Sequence, residues 1–91
     1  MPLTIFILNN CPYCIYAKIH LTKLLKDPKY QNININYINE KTNKELSNQY
    51  NYYYVPSFYY NKQKLYEGAI NKTQLKQLLD TYLNITNQWK I

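Results

Sequence analysis

The feature that most constrains this chain is a pair of cysteines, the only two in 91 residues, in the stretch Cys11-Pro12-Tyr13-Cys14. They follow directly on an apolar run and precede a segment of helical periodicity, so they stand where a strand gives way to a helix. A helix N-terminus leaves backbone N–H groups unpaired and carries a positive partial charge, and both favour a thiolate. We expect Cys11 to be the attacking thiol and Cys14, one turn into the helix, to be the resolving thiol.

Other uses of two cysteines fit this pattern less well. A structural disulfide between such close neighbours closes a loop too small to stabilise the fold much. A zinc site needs more ligands than one pair supplies, and the only histidine, His20, lies six residues past Cys14 in the same predicted helix. Two unrelated buried cysteines remain an alternative, but the strand-to-helix context favours a redox pair.

The length of the chain predicts one domain over residues 1–91, with a core at about residues 3–83 and a C-terminal tail at 84–91. Trp89 in that tail either docks on the domain or lies exposed. All eleven basic residues are lysines, and the net charge of +6 is spread along the chain without consecutive lysines. This pattern indicates a solvated basic surface that mildly attracts acidic partners and anionic thiols. Without arginine or a recognised motif, we expect no nucleic-acid partner.

The sequence also bears on location. Residues 3–8 (LTIFIL) are too few for a signal-peptide core and lack a basic start, and no stretch is long enough to span a membrane. We therefore expect a cytoplasmic monomer that does not associate with membranes. Thiols are kept reduced in that compartment, so a lone Cys-x-x-Cys pair there is more often catalytic than structural.

The first half of the chain predicts a strand and a long helix. Residues 3–8 are β-branched or aromatic almost throughout, the pattern of a central strand buried on both faces. A helix is predicted over about residues 12–26, where Asp27-Pro28 ends it. Its buried stripe is predicted to consist of Cys14, Ala17, Leu21 and Leu24, widened by Ile15 and Leu25.

A second strand and a short helix follow. Residues 33–37 (ININY) alternate apolar and polar side chains, which predicts a half-buried edge strand. Strand, helix and strand then form a βαβ unit with parallel strands. Residues 42–45 (TNKE) match a capping box and predict a helix to about residue 50, with Leu46 and Tyr50 stacked one turn apart.

The last third predicts a hairpin and a final helix. Residues 57–60 (SFYY) predict a strand, residues 61–63 a turn and residues 64–67 an antiparallel return strand. Asn71 with Gln74 predicts a helix start. The buried face of that helix is predicted to consist of Leu75, Leu78, Leu79, Tyr82 and Leu83. The order β-α-β-α-β-β-α describes an α/β fold with a four-stranded mixed sheet and three helices.

With this order of elements, the chain resembles the glutaredoxins, within the thioredoxin-fold superfamily. Three landmarks carry the resemblance over residues 3 to about 83: the CPYC motif at Cys11–Cys14, Val55-Pro56 before the third strand, and Gly68 after the hairpin. It implies a thioredoxin-like fold in which Pro56 is cis and lies beside the cysteines. It also implies that Val55 offers its backbone N–H and C=O to a bound peptide or glutathione.

The resemblance also assigns site residues. Carried over residue by residue, it gives Cys11 and Cys14 as catalytic, and the substrate-binding set is Pro12, Tyr13, Tyr54, Val55, Pro56 and Gly68. The chain departs from the family's usual residues at Leu8, Tyr54, Ala69 and Lys72. The last two fall where glutaredoxins bind the γ-glutamyl end of glutathione, so the motif supports the dithiol site better than a glutathione site.

What the resemblance implies is a thiol–disulfide oxidoreductase that reduces disulfide-containing proteins or glutathione mixed disulfides through the Cys11/Cys14 dithiol. It binds no cofactor, with glutathione as co-substrate in one alternative and a flavoprotein reductase such as thioredoxin reductase as electron donor in the other. A different interpretation is an iron–sulfur or metal-binding module that bridges two subunits through Cys11, since a cluster takes more thiolates than one chain supplies. A third, a peptide-binding adaptor, would not need both cysteines.

Overall fold

A four-stranded mixed sheet forms the centre of the molecule in this computed structural model, which describes residues 2–87. The elements are, in chain order, β1 (Leu3–Ile7), α1 (Pro12–Leu24), β2 (Ile35–Asn39), α2 (Lys44–Ser47), β3 (Ser57–Tyr60), β4 (Gln63–Glu67) and α3 (Lys72–Asn87). The strands lie in the sheet in the order β2-β1-β3-β4. This is the predicted element order, and it confirms the α/β class with three helices. Within residues 2–87, no helix combines the length and apolarity needed to cross a membrane.

The central strand is β1, which pairs parallel with β2 and antiparallel with β3. All five of its residues are buried, as the run of β-branched and aromatic side chains predicts. β2 is an edge strand, but the predicted alternation is only partly right. Ile33 is buried before the strand begins, and Ile38 is buried on the face opposite the helices, where it packs with Phe6 and Tyr59. Both faces of this edge strand are therefore partly covered.

One face of the sheet is covered by α1 and α3, which enclose the main core together with β1 and β3. The helices contribute Cys14, Ala17, Leu21, Leu75, Leu78, Leu79 and Tyr82, all of them buried as predicted. Leu83 packs against this core from a partly buried position. Each large aliphatic side chain buried here contributes roughly 1.5–3 kcal/mol, so this helical face carries much of the stability.

The opposite face of the sheet carries an aromatic cluster instead. Phe6 is fully buried, and its ring centroid lies 4.7 Å from that of Tyr50 and 5.7 Å from that of Tyr59. Tyrosines can pack there because their hydroxyl groups find partners. The Tyr52 hydroxyl donates to a Glu40 carboxylate oxygen at 2.5 Å, and the Tyr59 hydroxyl donates to a backbone carbonyl at 2.9 Å.

The structure corrects two predictions about α1. The helix ends at Leu24, with Leu25 as the C-cap, and does not reach residue 26. Ile15 does not widen the buried stripe, because its side chain is 50% exposed. Successive helix residues turn by roughly 100°, so Ile15 lies nearly opposite the line through Ala17 and Leu21.

The capping box predicted at residues 42–45 is wrong. The N-cap of α2 is Asn43, and its side chain makes no capping hydrogen bond. Thr42 Oγ1 donates instead to the backbone oxygen of Asn39, which also accepts from the Asn43 side chain, so the turn after β2 competes successfully for these groups. α2 ends at Ser47, before residue 50, and Leu46 is exposed.

The start of α3 is as predicted, and its end is not. Gln74 N–H donates to Asn71 Oδ1 at 2.7 Å, and Asn71 N–H donates to Gln74 Oε1 at 3.0 Å. The helix continues to Asn87, so residues 84–87 are helical and not part of a tail; no glycine or proline interrupts it. Trp89 lies outside the described residues. β4 starts one residue earlier than predicted, at Gln63.

Candidate functional site

The site is built first on the residue that precedes α1. Cys11 is the N-cap of that helix, with an extended backbone, and its Sγ accepts a hydrogen bond from Cys14 N–H at 3.2 Å. Pro12 occupies the first helical position, where its missing N–H costs nothing. The sulfur therefore takes the place of a capping oxygen among the free N–H groups of the helix start, an environment that stabilises negative charge.

The second cysteine lies in a very different environment. Cys14 is 1% exposed, whereas Cys11 is half-buried, and both are free thiols. Burial is the main cause that raises the pKa of Cys14 to about 12, and the hydrogen bond with the Cys11 side chain is the second cause. Cys14 therefore holds its proton at neutral pH. The predicted difference in burial between the two thiols is confirmed; their chemical roles stay a prediction.

The second side of the site is the loop that precedes β3. The Cys11 thiol donates to the backbone oxygen of Val55 at 3.8 Å, although 44 residues separate the two. The Val55–Pro56 peptide bond is cis, as the resemblance implies, and Pro56 is fully buried. Tyr54, by contrast, extends into solvent with 70% of its surface exposed. The fold thus brings the main chain of Val55 directly against the cysteine pair.

This loop is held from the end of β4 by Glu67. One carboxylate oxygen accepts the backbone N–H groups of Tyr53 and Tyr54 at 2.5 and 2.9 Å, and the other accepts from Lys64 Nζ at 2.6 Å. These donors, Lys64 first, lower the pKa of Glu67 to about 2. Sequence reasoning missed this residue, because a glutamate at a strand end belongs to no motif.

Gly68, the residue after Glu67, also bonds to the loop that precedes β3. Its N–H donates to the backbone oxygen of Pro56 at 2.8 Å, and its φ of +97° is a conformation that side-chain-bearing residues rarely adopt. A Cβ added to Gly68 would lie 3.8 Å from the Cβ of Tyr54, which is ordinary contact. The backbone conformation, and not lack of space, therefore favours glycine here.

An open groove of about 520 Å³ runs beside the cysteine motif, between the N-terminal ends of α1 and α3. Its lining residues are Pro12, Tyr13, Tyr16, Ala69, Ile70, Asn71 and Gln74. None of them is charged, and Tyr13 is 60% exposed. A larger groove, lined by residues 41–46 and Gln49, includes neither cysteine.

The structure thus brings most of the predicted site together. Cys11 is hydrogen-bonded both to the Cys14 N–H, within one helical turn, and to the Val55 carbonyl. The Pro56 carbonyl accepts a hydrogen bond from the Gly68 N–H. Within residues 2–87, no group of three His, Cys, Asp or Glu side chains is placed to hold a metal ion.

Comparison with known proteins gives a fold relative and no family. No protein-family model matches the chain, and no curated protein matches it. A solved structure described as "Structure of a malarial protein" is similar with a TM-score of 0.67, over 89% of this chain and 94% of its own length, at 20% sequence identity. At that identity the likeness concerns the fold alone. It supports the α/β architecture.

Proposed function

We propose that this protein is a glutaredoxin-like thiol–disulfide oxidoreductase that reduces disulfides through Cys11 and Cys14. The single observation that carries the proposal is the asymmetry of two free thiols within one helical turn. Cys11 is accessible at the helix start, and Cys14 is buried behind it with its proton retained. An attacking thiol has to meet substrate as a thiolate, whereas a resolving thiol acts only after the first bond has formed.

The reaction follows from this arrangement. Cys11 thiolate attacks one sulfur of a substrate disulfide, a new S–S bond forms, and the other substrate sulfur leaves as a thiolate that takes up a proton. Cys14 then loses its proton and attacks the Cys11 sulfur. The substrate's second sulfur leaves as a thiolate, and a Cys11–Cys14 disulfide remains. Two electrons have passed from the protein to the substrate.

The residues around the cysteines bind and orient the substrate in this reaction. The backbone of Val55, beside Cys11, pairs with the extended chain that carries the disulfide, while Tyr13 lines the adjacent groove. Such partners are disulfide-containing proteins or glutathione mixed disulfides, in a reducing cytoplasm, with the protein acting as a monomer. The electron donor that restores the dithiol is glutathione or a flavoprotein reductase such as thioredoxin reductase.

An assay of electron donors tests this function directly. Oxidised protein is offered glutathione with glutathione reductase, or thioredoxin reductase alone, and NADPH consumption is followed in the presence of a protein disulfide. We expect one of the two systems to support continuous turnover. The proposal would be refuted if neither donor system supports turnover and the chemically reduced protein also fails to reduce one equivalent of a disulfide.

The alternative of a cluster- or metal-binding module makes a separate prediction. Cys11 from each of two subunits, together with external thiols, would have to supply the ligands. Visible absorbance and iron analysis of protein purified without oxygen distinguish the alternatives. A coloured dimer that loses its colour in Cys11→Ser would favour the module.

A further inference from the structure

The Tyr53–Tyr54 segment, directly before Val55, is held by its main chain and not by its side chains. Tyr53 and Tyr54 are 85% and 70% exposed, so their rings bury little against the protein. Their two backbone N–H groups converge on one carboxylate oxygen of Glu67, at 2.5 and 2.9 Å. Ser57 Oγ adds one bond of 2.5 Å to the Tyr54 carbonyl. The two backbone N–H groups of this segment therefore depend on a single acidic side chain from another strand.

The charge on Glu67 strengthens these bonds. Hydrogen bonds to an ionised carboxylate are shorter and stronger than bonds between neutral groups. The second oxygen is paired with Lys64 at 2.6 Å, so the carboxylate is held at both ends. With its pKa lowered to about 2, Glu67 stays ionised over the whole pH range in which thiols exchange. The attachment is therefore permanent under working conditions and does not act as a switch.

The residue that follows this held segment is the one that faces the reacting sulfur. Val55 C=O lies 3.8 Å from Cys11 Sγ, and Val55 N–H has no acceptor among the described residues. Adding a strand to exposed backbone requires both groups to point in fixed directions. Holding them in advance removes the cost of ordering the loop when a substrate binds.

We infer that Glu67 is a positioning residue that sets the Val55 main chain for substrates whose disulfide lies in an extended peptide. The inference rests on the proposed oxidoreductase function and narrows its substrate class. A peptide disulfide pairs with Val55 while Cys11 attacks it. A small disulfide reaches Cys11 without that pairing and does not depend on Glu67.

The test compares two substrates in single-turnover reactions of pre-reduced protein, so that no reductase is needed. One substrate is an eight-residue peptide whose cysteine carries thionitrobenzoate in a mixed disulfide, and the other is hydroxyethyl disulfide. In Glu67→Ala, the half-saturating concentration of the peptide should rise about 3- to 10-fold with its maximal rate retained. The rate with hydroxyethyl disulfide should not change. Glu67→Gln, which keeps an acceptor oxygen, should lie between wild type and Glu67→Ala.

Two further variants serve as controls. Lys64→Gln removes the cation but keeps both bonds from Glu67 to the loop, so its effect should be smaller than that of Glu67→Ala. Glu45→Ala removes an exposed glutamate of α2 and should change neither substrate. An unchanged peptide half-saturation in Glu67→Ala would overturn the inference. An equal loss with both substrates would also overturn it, because that result indicates general destabilisation.

An independent measurement separates this inference from the proposed function. Hydrogen exchange of the Tyr53 and Tyr54 amides is measured by NMR in wild type and in Glu67→Ala. Faster exchange in the variant supports the positioning role, and unchanged exchange overturns it. If wild type reduces neither substrate, the oxidoreductase proposal fails, and the amide measurement alone decides whether Glu67 holds the loop.

Discussion

The two sides of the site are assembled in different ways. On the cysteine side, Cys11 and Cys14 are three residues apart, and one helical turn sets their relation. On the loop side, Glu67 reaches back 13 and 14 residues to Tyr54 and Tyr53, and Gly68 bonds to Pro56 across the hairpin. Local backbone geometry thus determines the first side, and long-range pairing determines the second.

This difference separates chemistry from recognition. In the proposed reaction the two sulfurs are placed by the start of α1, so loop variants should leave their intrinsic reactivity intact. The backbone proposed to pair with a substrate depends on the hairpin of β3 and β4. Variants on the cysteine side should therefore abolish turnover, and variants on the loop side should weaken binding or stability by smaller amounts.

The largest expected effect is that of Cys11→Ser. Serine keeps a capping oxygen at the start of α1 but is no nucleophile toward a disulfide, so exchange should fall to the uncatalysed background. Reduction of a protein disulfide by the chemically reduced variant is the measurement, with circular dichroism as the control for folding. Thiol–disulfide exchange that survives in the double variant Cys11→Ser/Cys14→Ser would refute the proposed oxidoreductase activity.

Cys14→Ser should have the next largest effect and a different character. Cys11 still attacks, but nothing resolves the product, so a stable mixed disulfide should accumulate and turnover on protein disulfides should stop. Intact-mass spectrometry detects the adduct. If glutathione is a partner, this variant should still remove glutathione from glutathionylated substrates. An adduct that forms on Cys14 in Cys11→Ser, and not on Cys11 in this variant, would reverse the assigned roles.

Gly68→Ala tests the loop side through stability. The positive φ of +97° is costly for alanine, and such strain typically costs roughly 1–3 kcal/mol. Urea denaturation measures the loss in the free energy of unfolding. Asn61→Gly is a matched control, because Asn61 has a φ of 56° in the turn between β3 and β4, where glycine is well tolerated. A loss in Asn61→Gly equal to that in Gly68→Ala would show that hairpin composition, not backbone conformation, sets the effect.

The smallest expected effect is a dependence of stability on acid pH. The folded-state pKa of Glu67 is about 2, below its ordinary value of 4.5, so its contribution is fully present above pH 4.5. It is lost as the pH falls toward 2. Melting temperatures between pH 5 and pH 2 should therefore fall less steeply in Glu67→Gln than in wild type. Asp80→Asn should also flatten the slope, but independently of the loop, since Tyr30 and Lys29 lower the pKa of Asp80 by a separate contact. Identical slopes in wild type and Glu67→Gln would contradict the predicted contribution.

Much of the fold could be predicted because its signals are local. The buried run of β1, the asparagine–glutamine cap of α3 and the N-terminal position of Cys11 each depend on residues within one or two turns. The same reasoning failed at α2, where a turn after β2 captured Thr42, and at Ile15, whose exposure depends on what α1 packs against. Local patterns state what a segment prefers and not which competing contact wins.

The sequence by itself determined the order of helices and strands along the chain. It also determined where the two thiols lie relative to each other, because a Cys-Pro-x-Cys stretch at a helix start places its sulfurs through backbone geometry alone. Only the tertiary structure decided that Val55 lies against Cys11 and that Glu67 holds the loop before it. Those contacts join residues 13 to 44 positions apart. They exist only once the hairpin has docked on β1, because no short-range interaction selects one glutamate among the five acidic residues.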